Sequence, residues 1–200
     1  MDQQPHLRSQ HSIADIPSTS MKTIWQPTLS DERVLIKPLK AADFNALYQV
    51  ASDPAIWEQH PAKDRYKQEV FRFFFEDAIA SNGAFLIKDL KNGEVIGSSR
   101  YKPVDLVDSA VEIGWSFLAK AYWGTGINKR IKQLMLDYAF SLMDYVVFYI
   151  AIDNVRSQKA VEKLGAKRIS DFHLPLVKKS PMDYTYLTSA QEWMKNTHEK

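Results

Sequence analysis

The sequence predicts an α/β fold, in which a β-sheet is covered by helices. Asn92-Gly93 separates two strand-like runs and marks a hairpin, because both residues tolerate positive φ. An amphipathic helical pattern begins at Ile127, and Tyr145–Ile152 is a continuous apolar run typical of a buried strand. With 200 residues, 45% of them hydrophobic, the chain is long enough for one well-buried core.

The first third of this fold is predicted as one strand followed by two helices. The strand covers Val34–Leu39, and the helices lie near Ala41–Ala51 and Lys67–Ser81. The second helix carries an aromatic stripe: Phe71, Phe74 and Phe75.

An antiparallel meander follows these helices. Phe85–Asp89 and Val95–Tyr101 flank the hairpin turn, and Ala110–Leu118 continues the sheet. After the buried strand Tyr145–Ile152, a short helix is predicted over Val155–Leu164, where Gly165 is suited to end it.

The helix that begins at Ile127 is expected to pack on the sheet through one stripe. Its apolar positions follow helical spacing: Ile131, Leu134, Met135, Tyr138 and Leu142. The polar positions are expected on the opposite, solvated face: Lys129, Arg130, Lys132 and Gln133.

Composition narrows the class of protein. A net charge of +2 and a pI near 8.6 are too mild for a nucleic-acid binder, although they suit an anionic ligand. There is no cysteine, which excludes a thiolate nucleophile and disulfides. Residues 1–20 are expected to form a disordered extension, and 21–200 a single cytoplasmic domain without a membrane span.

A glycine turn precedes the helix at Ile127. Gly124-Thr125-Gly126 allows an anion to approach the unpaired N–H groups of the helix start. The turn lacks the Lys-Ser/Thr pair of a P-loop and the third glycine of a dinucleotide fingerprint. By itself, a turn of this kind is more often a tight connection than a phosphate site.

Further motifs strengthen the inference of an anionic ligand. The chain contains Glu112-Ile113-Gly114, Tyr122-Trp123-Gly124-Thr125-Gly126, Asn154 with Ser157, and Glu162-Lys163-Leu164-Gly165. In order and spacing these motifs resemble the RimJ/RimL-like branch of the GNAT superfamily of N-acyltransferases, over roughly Glu32 to Trp193. The resemblance includes Asp183-Tyr184-Thr185-Tyr186 as a late strand.

The resemblance implies a GNAT fold and a direct acetyl transfer without a metal. The fold is a mixed, largely antiparallel twisted sheet of six to seven strands with helices on both faces. The donor is acetyl-CoA, and the acceptor is a primary amine: a protein N-terminus, an amino acid or a small amine. A homodimer is a further expectation.

The resemblance also implies which residues bind CoA. Backbone groups of four strand residues are expected to pair with the pantetheine amides: Trp115, Ser116, Phe117 and Leu118. The pyrophosphate is expected at the turn and helix start: Trp123, Gly124, Thr125, Gly126, Ile127 and Asn128. Asn154 and Ser157 complete the set. The basic or amide residue that usually begins the turn is Ala121 here, so Lys120, Lys129 or Arg130 would have to replace it.

Two residues are candidates for catalysis. Strand alternation places Glu112 on a face with Gly114, Ser116 and Leu118, where partial burial would make its carboxylate a general base. Pairing of Glu112 with Arg100 is the structural alternative. The family's tyrosine acid falls at Val161, so Ser157 or water would have to supply the proton.

The acceptor site is expected near the loop Asp53–Pro61. Its candidate lining residues are Trp57, His60, Phe74, Phe75, Arg100 and Tyr101. Aromatic residues at helical spacing are more often part of a core, and His60 is also a candidate base. Two other readings are a non-catalytic acyl-CoA-binding module and a structural domain that binds no CoA.

Overall fold

A computed structural model describes residues 25–104, 109–169 and 180–198. The strands, in chain order, are β1 (Leu29–Ser30), β2 (Val34–Pro38), β3 (Ala84–Asp89), β4 (Val95–Pro103), β5 (Ala110–Leu118), β6 (Tyr145–Ala151), β7 (Lys167–Ile169) and β8 (Asp183–Ser189). They form one sheet in the order β1-β2-β3-β4-β5-β6-β8-β7. All neighbours are antiparallel except β5 and β6, which are parallel. The mixed, largely antiparallel sheet is therefore confirmed.

The sheet has eight described strands instead of the predicted six to seven. The added elements include β1, which has two residues, and β7, which has three. Segments this short are too brief to show an alternation of apolar and polar residues, so the sequence pattern does not predict them. The predicted extension 1–20 lies outside the described residues.

Five helices accompany the sheet in the described part of the chain. They are α1 (Phe44–Ala51), α2 (Gln68–Ala80), α3 (Ile127–Phe140), α4 (Val155–Glu162) and α5 (Ala190–His198). The predicted α1 is shorter at its start, because Ala41–Asp43 forms a 3₁₀ turn. The predicted apolar stripe of α3 is wrong at Leu142, which lies beyond the helix end and is 41% exposed. None of the described helices is long and apolar enough to cross a membrane.

Each face of the sheet carries its own hydrophobic core. On one face α3, α4 and α5 pack over strand residues such as Val111, Ile113 and Leu118. On the other face α1 and α2 pack over residues that include Leu86 and Phe117. Helices therefore cover both faces, as predicted.

A β-bulge in β5 separates these residues between the two faces. Between the register pairs Ser98↔Phe117 and Arg100↔Gly114, β4 contributes one residue and β5 contributes two, Trp115 and Ser116. Trp115 has φ 51°, which is unusual for a side chain of this size. The extra residue reverses the alternation beyond it.

The predicted alternation of β5 is therefore wrong past the bulge. Phe117 belongs to the α1/α2 core and Leu118 to the α3 core, whereas strict alternation predicts Leu118 on the face of Glu112. Ser116 bonds to Lys132 of α3, so it lies on the α3 face and not beside Glu112. Gly114 does lie beside Glu112.

The two parallel strands diverge soon after they pair. β5 and β6 share only three register pairs, from Ala110↔Tyr145 to Glu112↔Val147. Beyond Glu112 the β5 edge has no further ladder partner among the described strands. The sheet therefore opens between β5 and β6, and this opening is called the cleft below.

Candidate active site

The starts of α3 and α4 lie at the open end of the cleft. Each follows the carboxyl end of one of the two parallel strands, and parallel strands end at the same edge of a sheet. The guanidinium of Arg156, at the start of α4, lies 3.8 Å from the ring centre of Trp123, just before α3. This contact brings together the two sequence segments that suggested a phosphate-bearing ligand.

The turn before α3 has the geometry of an anion cradle. Gly124 has φ 74° and Gly126 has φ 86°, and a Cβ built on either would meet no atom within 4 Å. The backbone N–H groups of Gly124, Thr125, Gly126 and Asn128 donate to no acceptor among the described residues. The positive end of the α3 dipole adds to these open donors. The residues present therefore fit a bound pyrophosphate.

An open groove of about 360 Å³ lies beside this turn, lined by Glu32, Arg33, Thr125, Ile127 and Arg130. Arg130 donates to Asp31 at 2.8 Å and also to Glu32, so its charge is already paired. Arg33 bonds Asp89 at 2.9 Å and keeps a buried Nε without an acceptor. Lys120 and Lys129 remain exposed cations near the turn.

Glu112 lies where the cleft begins. It is 5% exposed, and its Oε1 is 2.9 Å from the position that a Cβ on Gly114 would occupy. A side chain at Gly114 would therefore force the Glu112 carboxylate to shift. Arg100, the alternative partner, donates through Nη1 to Asp77 at 2.6 Å. Glu112 therefore sits in a buried position at the narrow end of the opening, as a base in this cleft would require.

Tyr149 of β6 is a neighbour of Glu112 that the sequence did not reveal. Burial, followed by the negative charge of Glu112, raises the pKa of the Tyr149 hydroxyl above its ordinary value. The hydroxyl therefore stays protonated near neutral pH. Tyr149 lies in an apolar run that predicts only a buried strand. The pairing of β5 with β6 is what brings Tyr149 close to Glu112.

Asn154 and Ser157 form the start of α4. The Asn154 side chain accepts from the Ser157 N–H at 3.2 Å, which is the N-cap role expected of asparagine. The Ser157 hydroxyl is half-buried and has no hydrogen-bond partner among the described residues. Val161 is 5% exposed and belongs to the α3-face core, so it takes no part in the cleft.

The loop Asp53–Pro61 reaches the cleft from the α1/α2 side. The Gln59 side chain accepts from the Arg156 N–H at 3.1 Å, which ties the loop to the start of α4. His60 accepts from the Ala62 N–H at its Nδ1, and its Nε2 lies 3.2 Å from an Arg65 nitrogen. Burial, followed by the charge of Arg65, lowers the pKa of His60 to about 4. Donors face both ring nitrogens, so the structure does not favour His60 as a base.

Three predicted acceptor residues lie in the cores instead. Trp57 is 2% exposed and donates its indole N–H to the Ala51 carbonyl, and Phe75 is 4% exposed. Tyr101 is on the α3 face and donates its hydroxyl to the Met135 carbonyl. Strand alternation separates Tyr101 from Arg100, so the two cannot line one pocket.

Aromatic rings and two arginines form the α1/α2 side of the site. The Arg100 guanidinium lies 4.6 Å from the ring centre of Trp115 and 5.7 Å from that of Phe74. Arg65 lies 4.4 Å from the same Phe74 ring and 5.1 Å from Trp57. Both guanidiniums therefore lie near the Phe74 ring, and of the predicted acceptor residues Arg100 is the one placed directly at the bulge.

A buried lysine contradicts the predicted polar face of α3. Lys132 is 5% exposed and donates to Ser99 at 3.0 Å and to Ser116 at 2.6 Å, and the two serine oxygens are 2.8 Å apart. Burial lowers the pKa of Lys132 to about 7. The lysine faces the sheet because the two serines supply the acceptors that its ammonium group needs.

No group of three or more metal-ligating side chains was found in the described part of the chain. The site as described consists of a cradle of amides, an open strand edge and a buried carboxylate.

A family model described as an acetyltransferase (GNAT) domain matches residues 33–167. The chain belongs to the GNAT acetyltransferase family. Members of this family take acetyl-CoA as acyl donor.

Among its relatives is the "Uncharacterized N-acetyltransferase p20" of Bacillus licheniformis, 25% identical over 124 residues, which are 58% of this chain and 68% of that protein. A GNAT-family acetyltransferase structure from Bacillus anthracis has a TM-score of 0.67 at 20% identity, covering 83% of this chain and 100% of that one. A spermidine N-acetyltransferase from Vibrio cholerae, in complex with CoA and spermine, has a TM-score of 0.61 at 12% identity, covering 82% and 99%. These structural likenesses establish the GNAT fold.

Proposed function

We propose that this GNAT protein transfers an acetyl group from acetyl-CoA directly to a primary amine, as a member of the RimJ/RimL-like branch. The observation that carries the proposal is the cleft between β5 and β6, which has Glu112 at its closed end and the amide cradle at its open end. A protein N-terminus, an amino acid and a small amine remain the acceptor classes.

The donor would be held by backbone groups more than by side chains. The turn amides at Gly124–Asn128 and the α3 dipole suit the pyrophosphate. The β5 edge from Trp115 to Leu118, which lies beyond the last β5–β6 register pair, suits the peptide-like pantetheine amides, which can add to a strand edge. When bound, acetyl-CoA supplies a thioester carbonyl that an amine can attack.

Glu112 would act on the acceptor amine from the α1/α2 face. Its carboxylate accepts a proton from the amine, directly or through water, while the nitrogen forms a bond to the thioester carbon. As the carbon–sulfur bond breaks, the sulfur leaves as thiolate and takes a proton from water or from the Ser157 hydroxyl. Ser157 contributes chiefly by binding, because a serine hydroxyl is a weak acid.

A second candidate is a non-catalytic acyl-CoA-binding module. It is favoured by one observation, the core position of Val161 where the family's acid tyrosine would stand. The two functions share the cradle, and they differ in whether a thiol is released when an amine is present.

The test is a thiol-release assay with acetyl-CoA and a panel of primary amines, with Glu112→Gln as the matched variant. The enzyme proposal predicts amine-dependent thiol release and an acetylated product by mass spectrometry, both reduced in Glu112→Gln. Binding of acetyl-CoA without product from any amine would support the binding module instead.

A further inference from the structure

Arg100 is a buried cation with an unused hydrogen-bonding edge. It is 3% exposed, and among the described residues only its Nη1 has a hydrogen-bond partner, Asp77 at 2.6 Å. Its Nε and Nη2 are buried and have no acceptor among the described residues. These two nitrogens form one side of the planar guanidinium, the fork that binds a carboxylate with two parallel hydrogen bonds.

Leaving such an edge unpaired inside a protein is costly. Buried donors almost always have a partner, and for a charged group the penalty is larger than for a neutral one. The partner Asp77 is 68% exposed, so water screens much of its attraction for Arg100. The fork therefore points to an acceptor group that arrives with a ligand.

A second guanidinium makes the surroundings more favourable to an anion. Burial, followed by the positive charge of Arg100, lowers the pKa of Arg65 to about 10. Both guanidiniums lie near the Phe74 ring centre, at 4.4 Å for Arg65 and 5.7 Å for Arg100. A negative group near this ring would reduce the repulsion between the two arginines.

The position of Arg100 relative to Glu112 sets the size of the ligand. Arg100 is opposite Gly114 in the β4–β5 register, and the Glu112 carboxylate lies over Gly114 on the same face. Diagonal neighbours on adjacent strands are about 7 Å apart. A molecule that places its amine at Glu112 can therefore reach Arg100 with a carboxylate only a few bonds away.

We propose that the Arg100 fork binds a carboxylate of the acceptor, so that the acceptor is an α-amino acid or a small amine with a carboxylate close to its amino group. This inference rests on the proposed acetyl transfer and adds a substrate class to it. The Trp115 ring lies 4.6 Å from the Arg100 guanidinium and is only partly buried.

A polycationic acceptor does not suit this site. Polyamines require carboxylates along their length, whereas here the guanidiniums of Arg65 and Arg100 both lie near the Phe74 ring, and Arg100 shares a sheet face with Glu112. The Vibrio cholerae neighbour was solved with spermine, and its likeness to this chain concerns the fold. Spermidine therefore serves as the negative control among the acceptors.

The experiment measures kcat/KM for the proteinogenic L-amino acids, for the α-carboxamide of each, and for spermidine. The amine of a carboxamide is less basic and is more often neutral near pH 7.5, so intrinsic reactivity favours the amide. Recognition by Arg100 predicts the opposite order, with the best amino acid preferred over its own amide by at least about tenfold. Amides or spermidine acetylated as well as the acids would overturn the inference.

Arg100→Lys tests the fork itself, because lysine keeps the charge and loses the bidentate edge. We expect kcat/KM for amino acids to fall by about tenfold or more, with that for amides nearly unchanged. Arg72→Lys is the matched control, since Arg72 also stacks on an aromatic ring, Phe44 at 4.5 Å, but is exposed on α2. If the role of Arg100 were purely structural, Arg100→Lys would lower kcat/KM equally for amino acids and for amides, which would contradict the proposal.

The wild-type panel decides the matter even if Arg100→Lys fails to fold. Calorimetric binding of acetyl-CoA to each variant reports whether its cleft is intact. No product from any amine would defeat the proposed function itself, whereas amines acetylated without regard to a carboxylate would defeat only the inference about Arg100.

Discussion

The guanidinium of Arg156 lies 3.8 Å from the ring centre of Trp123 and links the two helix starts at the mouth of the cleft. Trp123 is held in turn by a 3.0 Å hydrogen bond from its indole N–H to the Leu118 carbonyl at the end of β5. The Arg156 N–H donates to Gln59 in the loop before α2. One residue pair therefore connects the turn before α3 with the loop Asp53–Pro61.

This pair should be energetically coupled. A cation–π contact of this kind contributes about 0.5–1 kcal/mol where it is partly exposed. We expect Trp123→Leu and Arg156→Met each to weaken acetyl-CoA binding, with a double variant less impaired than the sum of the two. A double-mutant cycle on the calorimetric Kd measures this, and strictly additive effects would show that the contact is incidental.

Gly126 should be required for binding of the donor. A side chain at Gly126 would occupy the path to the turn amides and would be strained at φ 86°. We expect Gly126→Leu to raise the Kd for acetyl-CoA strongly.

Gly93 supplies a matched control for Gly126. It has φ 75° and an equally open Cβ position, but it lies in the β3–β4 hairpin. Gly93→Leu should lower stability by a similar amount, about 1–2 kcal/mol, and leave the Kd unchanged. Equal Kd values for the two variants would count against the amide cradle.

Glu112 should affect turnover and not donor affinity. Loss of a general base typically costs about a hundredfold or more in rate. Glu112→Gln keeps the shape of the buried side chain, so we expect kcat to fall by about that factor with the Kd for acetyl-CoA nearly unchanged. Ser157→Ala should instead act mainly on binding. A Glu112→Gln enzyme with the wild-type kcat would refute the base assignment.

Lys132 should make the protein less stable at low pH. Its pKa is about 7 in the folded state and 10.5 ordinarily, so between these values the unfolded chain holds a proton that the folded chain lacks. The buried cation therefore costs most below pH 7, and the cost declines as pH rises toward 10.5.

Lys132→Met removes this cost. We expect it to raise the free energy of unfolding at about pH 6 by a few kcal/mol relative to wild type, and by clearly less at about pH 9. Guanidinium unfolding of both proteins at the two pH values measures this. A gain that does not change with pH would show that Lys132 titrates normally.

Much of the fold followed from local patterns. The hairpin at Asn92-Gly93, the start of α3 at Ile127 and the strand from Tyr145 all lie where glycine geometry and apolar periodicity predicted them. The strand Ala110–Leu118 also has its predicted bounds. These features depend on residues close together in sequence, which is why one sequence was enough.

The missed features depend on tertiary contacts. The bulge at Trp115 reverses the faces of Phe117 and Leu118, and no residue type in β5 predicts a bulge there. Helical spacing predicts that Lys132 is exposed to solvent. Its burial depends on Ser99 and Ser116, which lie on two different strands and accept from its ammonium group. Tyr149 becomes a neighbour of Glu112 only through the parallel pairing of β5 with β6.

The acceptor side was the least predictable part of the site. The family resemblance predicts Trp57, Phe75 and Tyr101 as lining residues, and all three are buried in the cores. The residue that indicates an acceptor site is Arg100, and its missing hydrogen-bond partners cannot be recognised from the sequence. The empty edge of Arg100 is visible only when its neighbours are in place.

Every prediction for the active site depends on the binding of acetyl-CoA in the cleft between β5 and β6. Calorimetric titration of the wild-type protein with acetyl-CoA, with ATP as a control for generic nucleotide binding, tests it most directly. We predict saturable binding with a Kd of about 1–100 μM and much weaker binding of ATP. No heat with acetyl-CoA, or equal affinity for ATP, would contradict a specific acetyl-CoA site in this cleft.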